Sequence, residues 1–145
     1  MNKEKIAYIY PSPFAYEDGG EVKAESVSLS YFVESFPCTF EVYANIGLAF
    51  LERDYKYKIE TRMHYGDTDL TEKIVESELK NHISHASLEG DYVATFGTVI
   101  NNVTIEKSGK YKIICSLSKV STNGGFAEQI HEQECFFVIS DKWAF

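Results

Sequence analysis

Between residues 55 and 65 the chain reads Tyr55-Lys56-Tyr57-Lys58-Ile59-Glu60-Thr61-Arg62-Met63-His64-Tyr65, and two kinds of side chain alternate along it. The odd-numbered residues are aromatic, apolar or threonine, whereas the even-numbered residues are charged or histidine. Because successive side chains of a β-strand point to opposite faces of the sheet, this alternation predicts a long strand with one buried face.

The same period of two recurs elsewhere in the chain. Phe40, Val42, Ala44, Ile46, Leu48 and Phe50 are predicted to share one face of a strand, and Val27, Leu29 and Tyr31 one face of another. Further strand material lies in residues 92–105, 111–117 and 130–139. Glycine, aspartate and asparagine separate these stretches at 18–20, 66–69, 108–109 and 123–125, as hairpin turns require.

This pattern predicts an all-β fold, a two-sheet antiparallel sandwich of about seven or eight strands that is immunoglobulin-like in its last two. We expect one domain over residues 1–145, with 1–17 and 141–145 as terminal arms. The predicted inward face comprises Phe40, Val42, Ile46, Leu48, Ile59, Met63, Tyr111, Ile113, Cys115, Phe137 and Ile139.

One segment allows two interpretations. Asp69 and Glu72 resemble a helix N-cap and its N3 partner, and Val75, Leu79 and His82 recur at helical spacing. The turn at 66–69, however, follows a strand as a hairpin turn does. We predict a strand at 71–79, followed by an irregular stretch or one short helix at 80–88.

Composition narrows the classes of partner. The chain has 14 Lys and Arg against 22 Asp and Glu, a formal net charge of −8 at pH 7. Phosphate binding needs clustered cations, so neither nucleic acid nor an anionic membrane is an expected partner. No stretch approaches the roughly 18 apolar residues of a spanning helix, and no signal peptide is evident. With three unpaired cysteines, these features predict a cytoplasmic protein.

Motifs of enzymes are missing. The sequence contains no Gly-x-Ser-x-Gly elbow, no phosphate-binding glycine loop and no Cys-x-x-Cys pair. We therefore predict a protein that is not an enzyme and that uses no cofactor. A metal-dependent hydrolase remains a third hypothesis, because imidazoles are good zinc ligands. Its candidate ligands are His64, His82, His85 and His131.

Aromatic residues near both ends are the candidate interaction residues. Large exposed apolar groups commonly mark an interface, and Phe14, Tyr16, Trp143 and Phe145 are the groups in question. The alternative is that each terminus folds back over an open end of the sandwich. A small-ligand site, for instance for a nucleotide, is a second hypothesis, since cations can bind phosphate. Its candidate residues are Lys56, Lys58, Arg62, Lys110 and Lys112.

Two resemblances accompany these patterns. Residues 107–113 and Cys115 resemble the tyrosine corner of immunoglobulin-like sandwiches, in which a Tyr near the start of the penultimate strand bonds back to the chain. More broadly, residues 18–23, Phe36-Pro37, Gly109-x-Tyr111 and residues 136–139 are similar to a family of small bacterial and phage β-sandwich proteins, a domain of unknown function. The likeness implies the fold and carries no catalytic residues.

The leading functional hypothesis is a non-catalytic interaction protein, such as an inhibitor or accessory protein encoded by a phage or mobile element. Its expected partner is another protein or a second copy of the chain. The small-ligand domain is the alternative.

Overall fold

The computed structural model describes residues 2–20, 22–71, 75–78, 87–88, 90–120 and 125–142. Twelve strands form within these residues, more than the predicted seven or eight, and six of them have four residues or fewer. In chain order the strands are β1 (Lys5–Ser12), β2 (Phe14–Tyr16), β3 (Val22–Ala24), β4 (Ser30–Phe32), β5 (Cys38–Glu52), β6 (Lys56–Tyr65), β7 (Thr68–Asp69), β8 (Val75–Glu78), β9 (Ser87–Leu88), β10 (Asp91–Ile105), β11 (Gly109–Val120) and β12 (Ala127–Ser140).

The strands form two sheets and a small hairpin. One sheet has the order β1-β5-β10-β9, and the other has the order β4-β12-β11-β6-β7, with β8 also paired to β6. β2 and β3 form the hairpin. The order matches the two sheets of immunoglobulin domains, in which the first, second, fifth and fourth strands pair in one sheet. The predicted immunoglobulin-like sandwich is confirmed, except that β4 runs parallel to β12 and that β2 and β3 form a separate hairpin.

A single core cluster joins the inner faces of both sheets. All eleven residues predicted to face inward are buried there, because the period-two pattern of each long strand matches the pleat of the sheet. Aromatic rings fill the space at one end. The Phe40 ring of β5 stacks on the Phe137 ring of β12 with centroids 6.1 Å apart, and Tyr31 contacts both edge-on.

The predicted tyrosine corner is present. The Tyr111 hydroxyl donates a hydrogen bond to the carbonyl oxygen of Lys107, four residues upstream. The Tyr111 side chain is buried beside the Tyr65 ring, with centroids 4.9 Å apart. The bond fixes the turn between β10 and β11, which connects the two sheets.

Two predicted strand faces are wrong in part. Phe50 is 53% exposed instead of sharing the buried face of Ile46 and Leu48, because β5 bulges there and Leu51 points inward. Val27 and Leu29 are also exposed, since β4 begins only at Ser30. The Ser28 hydroxyl bonds to the backbone of Ser30, and such local bonds compete with strand pairing.

Apart from Thr71, the ambiguous segment forms strand wherever it is described. Val75–Glu78 pairs with β6, within the predicted strand at 71–79. Ser87–Leu88 pairs with β10 instead of ending a helix. Residues 72–74, 79–86 and 89 lie outside the described residues, so a helix within 80–86 stays a prediction.

The first predicted terminal arm, residues 1–17, contains a strand of the sandwich. β1 pairs with β5 over Lys5 to Ser12 and buries Ile6 and Ile9 in the core. Pro11 is accommodated because β1 is an edge strand, where a missing N–H costs no pairing. Of the second arm, residues 143–145 lie outside the described residues.

Candidate functional site

Aromatic side chains cover the outer face of the four-stranded sheet. Because Ile9, Ile46 and Leu48 point into the core, the residues that alternate with them point outward. Tyr8 and Tyr10 of β1 thereby stand on the same face as Tyr43 of β5. The Phe14 ring packs on Tyr43 and the Tyr16 ring on Phe14. We call the rings of Tyr8, Tyr10, Phe14, Tyr16 and Tyr43 the aromatic face.

Two glycines let these rings lie close to the backbone of the sheet. A Cβ atom at Gly47, which stands opposite Tyr8, would lie 2.1 Å from the Tyr8 ring. A Cβ atom at Gly97 of β10 would lie 1.9 Å from the Tyr43 hydroxyl oxygen. Glycine within a strand often marks such a close approach. Tyr8 therefore leans from β1 over β5, and Tyr43 leans from β5 over β10.

The rings contact one another in two groups. Tyr8 and Tyr10 are near-parallel, with an interplanar angle of 23° and centroids 5.5 Å apart. The Phe14 ring lies 6.3 Å from Tyr43 and 5.5 Å from Tyr16. Tyr8 and Tyr10 are 37% and 38% exposed and Tyr16 is 61% exposed, so the surface is open to solvent while its rings are held by neighbours.

Long stretches of the strands that carry this surface contain no charged residue. None of residues 6–16, 42–51 and 92–105 is charged, although 25% of the chain is. These stretches belong mainly to β1, β5 and β10, which are neighbours in the sheet. Lack of charge is expected for the inner face but not for the solvent-facing side. Within these stretches the polar groups of the outer face are neutral, while the exposed Lys5 and Glu41 lie just beyond them. The Asn45 side chain donates to the Tyr10 carbonyl oxygen and to the Ser12 hydroxyl.

A group of charged residues lies where β1 begins. Glu4 is 1% exposed, accepts a hydrogen bond from the Tyr57 hydroxyl at 2.9 Å and lies 2.8 Å from the Lys119 Nζ. Lys119 also donates to Glu52 at 3.1 Å. Burial raises the pKa of Glu4, but hydrogen bonds from Lys119, from its own backbone and from Tyr57 outweigh it and hold that pKa below its ordinary value. These ion pairs connect the start of β1 to β11.

The predicted phosphate-binding cations do not converge. All five point outward from β6 and β11, and Lys56 and Lys110 stand opposite Val120 and Val138. Ten residues of β11 separate these two positions, about 33 Å along a strand. Carboxylates stand among the cations. Arg62 pairs with Glu60 and Asp69, and Lys112 pairs with Glu134 at 3.3 Å. The site residues Lys56, Lys58, Arg62, Lys110 and Lys112 therefore form a mixed-charge surface.

An open cleft does exist beside the tyrosine corner. Its volume is about 420 Å³, and the Lys107 ammonium lies 4.8 Å from the centroid of the Tyr65 ring in its wall. Asp69 and Glu106 place carboxylates in the same wall. The described lining includes none of the five predicted cations. A small ligand at this cleft would be recognised by residues that the sequence did not single out.

The structure does not bring the described histidines together. His64 stands opposite Lys112 on the outer face of the six-stranded sheet, whereas His131 stands opposite the buried Leu117 on its inner face. The His131 Nδ1 accepts a hydrogen bond from the Ile6 N–H at 2.9 Å. Across the described ranges no group of three or more His, Cys, Asp or Glu could hold a metal ion. His82 and His85 lie outside the described residues, so their part of the metal hypothesis stays untested.

Of the predicted interaction residues, Phe14 and Tyr16 belong to the aromatic face, whereas Trp143 and Phe145 lie outside the described residues. Tyr8, Tyr10 and Tyr43 were missed as site residues. Two signals in the sequence point to them: the charge-free runs and the glycines within predicted strands at 47 and 97. Neither signal shows which strands are neighbours, and that pairing is what gathers the rings.

Comparisons with known proteins bear on the fold. No family model matches the chain, and no curated protein matches it either. Among solved structures it is similar to a bacterial adhesin from Mobiluncus mulieris that contains intramolecular disulfide, isopeptide and ester bond cross-links. The TM-score is 0.53 at 9% sequence identity, and the match covers 96% of this chain. The chain spans 58% of the length of that adhesin, and at this identity the likeness extends to the β-sandwich fold alone.

Proposed function

We propose that this chain is a non-catalytic recognition domain that binds its partner through the aromatic face. The observation that carries the proposal is the exposed, charge-free set of tyrosine rings on the outer face of the four-stranded sheet. Tyrosine is enriched at protein interfaces because one side chain supplies a large apolar contact and a hydroxyl group.

Preorganisation adds to this argument. The Tyr8 and Tyr43 rings lie against the backbone over Gly47 and Gly97, so each has lost side-chain freedom before any partner arrives. Binding then costs less conformational entropy than it would with freely rotating side chains. If the rings served only to shield the sheet, no exposed aromatic rings would be needed beside them. Tyr10 and Tyr16 are nevertheless exposed to solvent.

The thiols are poorly suited to nucleophilic chemistry. Burial, followed by the neighbouring Cys135, raises the pKa of the Cys115 thiol to about 12. Burial likewise raises the pKa of Cys135 to about 11, partly offset by a backbone hydrogen bond. A thiol attacks as its thiolate, which is scarce at neutral pH for these two residues. This supports, within the proposal, a role in binding instead of catalysis.

The cellular setting is a further part of the proposal. The similar solved structure is described as a bacterial adhesin, and a recognition role at a cell surface is one reading of that likeness. The second possible setting is the cytoplasm, where the chain would act as an inhibitor or accessory protein. The free thiols of Cys38, Cys115 and Cys135 are consistent with a reducing compartment. No helix among the described residues has the length and apolar character to cross a membrane.

The test is capture by immobilised protein from two sources, a cytosolic extract and a preparation of cell-surface material. We expect wild type to retain partner material. The double variant Tyr8→Ala/Tyr43→Ala should retain about tenfold less, because removal of two anchoring aromatic residues weakens binding at interfaces. Phe136→Ala is the matched control, since Phe136 is 58% exposed on the other sheet. Equal capture by wild type and the double variant would contradict the proposal.

A further inference from the structure

We propose that the ligand of the aromatic face is a neutral oligosaccharide whose pyranose rings stack on Tyr8 and Tyr43. This inference rests on the proposed function, because it names the chemical class that the same surface binds. It follows from three properties of the surface: its flatness, its neutrality and its hydroxyl groups.

Flatness follows from the two glycines. At Gly47 and Gly97 nothing larger than hydrogen separates the backbone from the ring above it, so Tyr8 and Tyr43 lie along the sheet. One side of each ring then faces the backbone, while Tyr8 stays exposed beside Tyr10 and Tyr43 is half-buried beside Phe14. A pyranose presents a flat patch of C–H groups that matches the face of an aromatic ring in size and polarity. A protein partner has no such requirement for rings laid flat.

Neutrality decides between classes of ligand that stack on aromatic rings. Single-stranded nucleic acid also stacks on such rings, but its binding grooves combine them with cations along the backbone path. Residues 6–16, 42–51 and 92–105 provide no cation, and the chain carries a net charge of −8. A neutral sugar meets no repulsion there, and no charge has to be desolvated when it binds.

Hydroxyl groups complete the match. Burial, and then the neighbouring Tyr10, raise the pKa of the Tyr8 phenol, so it stays protonated and able to donate. Thr95 of β10 stands opposite Gly47 and is exposed on the same face. Sugar hydroxyls both donate and accept, and these phenol and alcohol groups can do the same. Sites for small molecules commonly combine an apolar surface with a few such polar groups.

The test is titration calorimetry of the full chain with soluble neutral hexasaccharides of gluco, manno, galacto and xylo configuration. We expect at least one to bind, and Tyr8→Ala or Tyr43→Ala to weaken its affinity about tenfold or more. Gly97→Ala should weaken it as well, because the new Cβ displaces the Tyr43 ring without removing it. Phe136→Ala should bind as wild type does. Affinity should be the same at low and high salt, because no ion pair forms.

Two further probes separate this inference from the proposed function. Heparin, a sulfated polysaccharide, should not bind, and tight salt-sensitive binding of heparin would overturn the neutral-ligand inference. A proline-rich peptide that binds with the same loss in Tyr8→Ala and Tyr43→Ala would also overturn it, in favour of a protein ligand. If no hexasaccharide binds while capture from extract still depends on Tyr8 and Tyr43, the oligosaccharide inference is wrong and the proposed recognition surface is retained. If both fail, both proposals fall.

Discussion

At the scale of single residues, Glu4 is the most demanding group in the interior. It is buried and ionised, and its charge is compensated by Lys119 at 2.8 Å and by the Tyr57 hydroxyl at 2.9 Å. Removing one partner of a buried ion pair leaves the other charge uncompensated, which costs about 3–5 kcal/mol. We therefore expect Lys119→Met to lower the free energy of unfolding at neutral pH by about that amount, measured by urea denaturation.

The dependence on pH supplies a sharper test of the same pair. In wild type the pKa of Glu4 is lowered, so its contribution to stability is complete above the unfolded value, about 4.5, and is lost as pH falls through the folded value. Burial is the largest single effect on that pKa, and without Lys119 only the hydrogen bonds from the backbone and from Tyr57 oppose it, so we expect the pKa of Glu4 to rise above its ordinary value. Lys119→Met should then gain stability as pH falls from neutral towards about 4.5, the opposite of wild type. The double variant Glu4→Gln/Lys119→Met is the control and should recover most of the loss. A slope of the same sign in wild type and Lys119→Met would refute the assignment.

Glu4 also shows what sequence patterns miss at this scale. Its neighbours Lys3 and Lys5 make the start of the chain look solvated, and its partner Lys119 is 115 residues away in the sequence. The period-two pattern predicts which face of β11 is buried but not which strand end covers it. Burial of a charge depends on that covering contact, which only the tertiary structure supplies.

At the scale of strands, β5 and β10 each contain a residue with positive φ at an irregularity in their pairing. Asn102 has φ of 56°, and Phe50 has φ of 63°. Asparagine tolerates this left-handed region because its side chain can bond locally, whereas a residue such as phenylalanine pays about 1–2 kcal/mol. Phe50 is also 53% exposed, so packing of its side chain offsets little of this conformational free energy.

Phe50→Gly should therefore stabilise the protein. Relief of the left-handed penalty outweighs the roughly 0.5–1 kcal/mol that glycine costs within a strand, and we expect a gain of about 0.5–1 kcal/mol in the free energy of unfolding. Urea denaturation measures it directly. Val93→Gly is the control, an exposed residue of β10 at the same irregularity without positive φ, and it should lose stability. Loss in both variants would show that the Phe50 side chain contributes more by packing than its backbone costs.

The long strands were predictable and the irregular positions were not. Ile59 and Met63, or Ile113 and Cys115, lie on buried faces because hydrophobic alternation over many residues matches only one register of the pleat. At Phe50 the residue type continues the alternation while the backbone inserts an extra residue, so the pattern misassigns its face. A bulge is a property of the paired strands, which one strand's sequence does not record.

The residues of the candidate site were likewise predictable from the sequence only in part. Phe14 and Tyr16 were predictable as candidate interaction residues, and they belong to the aromatic face, with Phe14 half-buried and Tyr16 exposed. Tyr8 and Tyr43 were not, because their place on the aromatic face arises from β1 and β10 lying on either side of β5. The basic residues of β6 and β11 formed a pattern in sequence, but pairing placed carboxylates among them.

At the scale of the whole molecule, β1 connects the two sheets. It pairs with β5 in the four-stranded sheet, while its Ile6 N–H donates to His131 of β12 and Glu4 at its start pairs with Lys119 of β11. Burial of Ile6 and Ile9 contributes about 1.5–3 kcal/mol each. Together the two side chains contribute an amount comparable to the lower end of the 5–15 kcal/mol by which typical domains are stable.

Removal of residues 1–12 should therefore abolish cooperative thermal unfolding, followed by circular dichroism. A synthetic peptide of residues 2–16 added in trans should restore it, since an extended peptide can take the empty edge position beside β5. The same peptide carrying Ile6→Asp and Ile9→Asp should not, because the inward face of β1 supplies the energy. A truncated chain that melts cooperatively within a few degrees of the full chain would show that β1 is dispensable for the fold. Loss of folding would instead mean that Tyr8 and Tyr10 lie on a strand that the core requires. The position of these rings would then depend on the same packing that stabilises the sandwich.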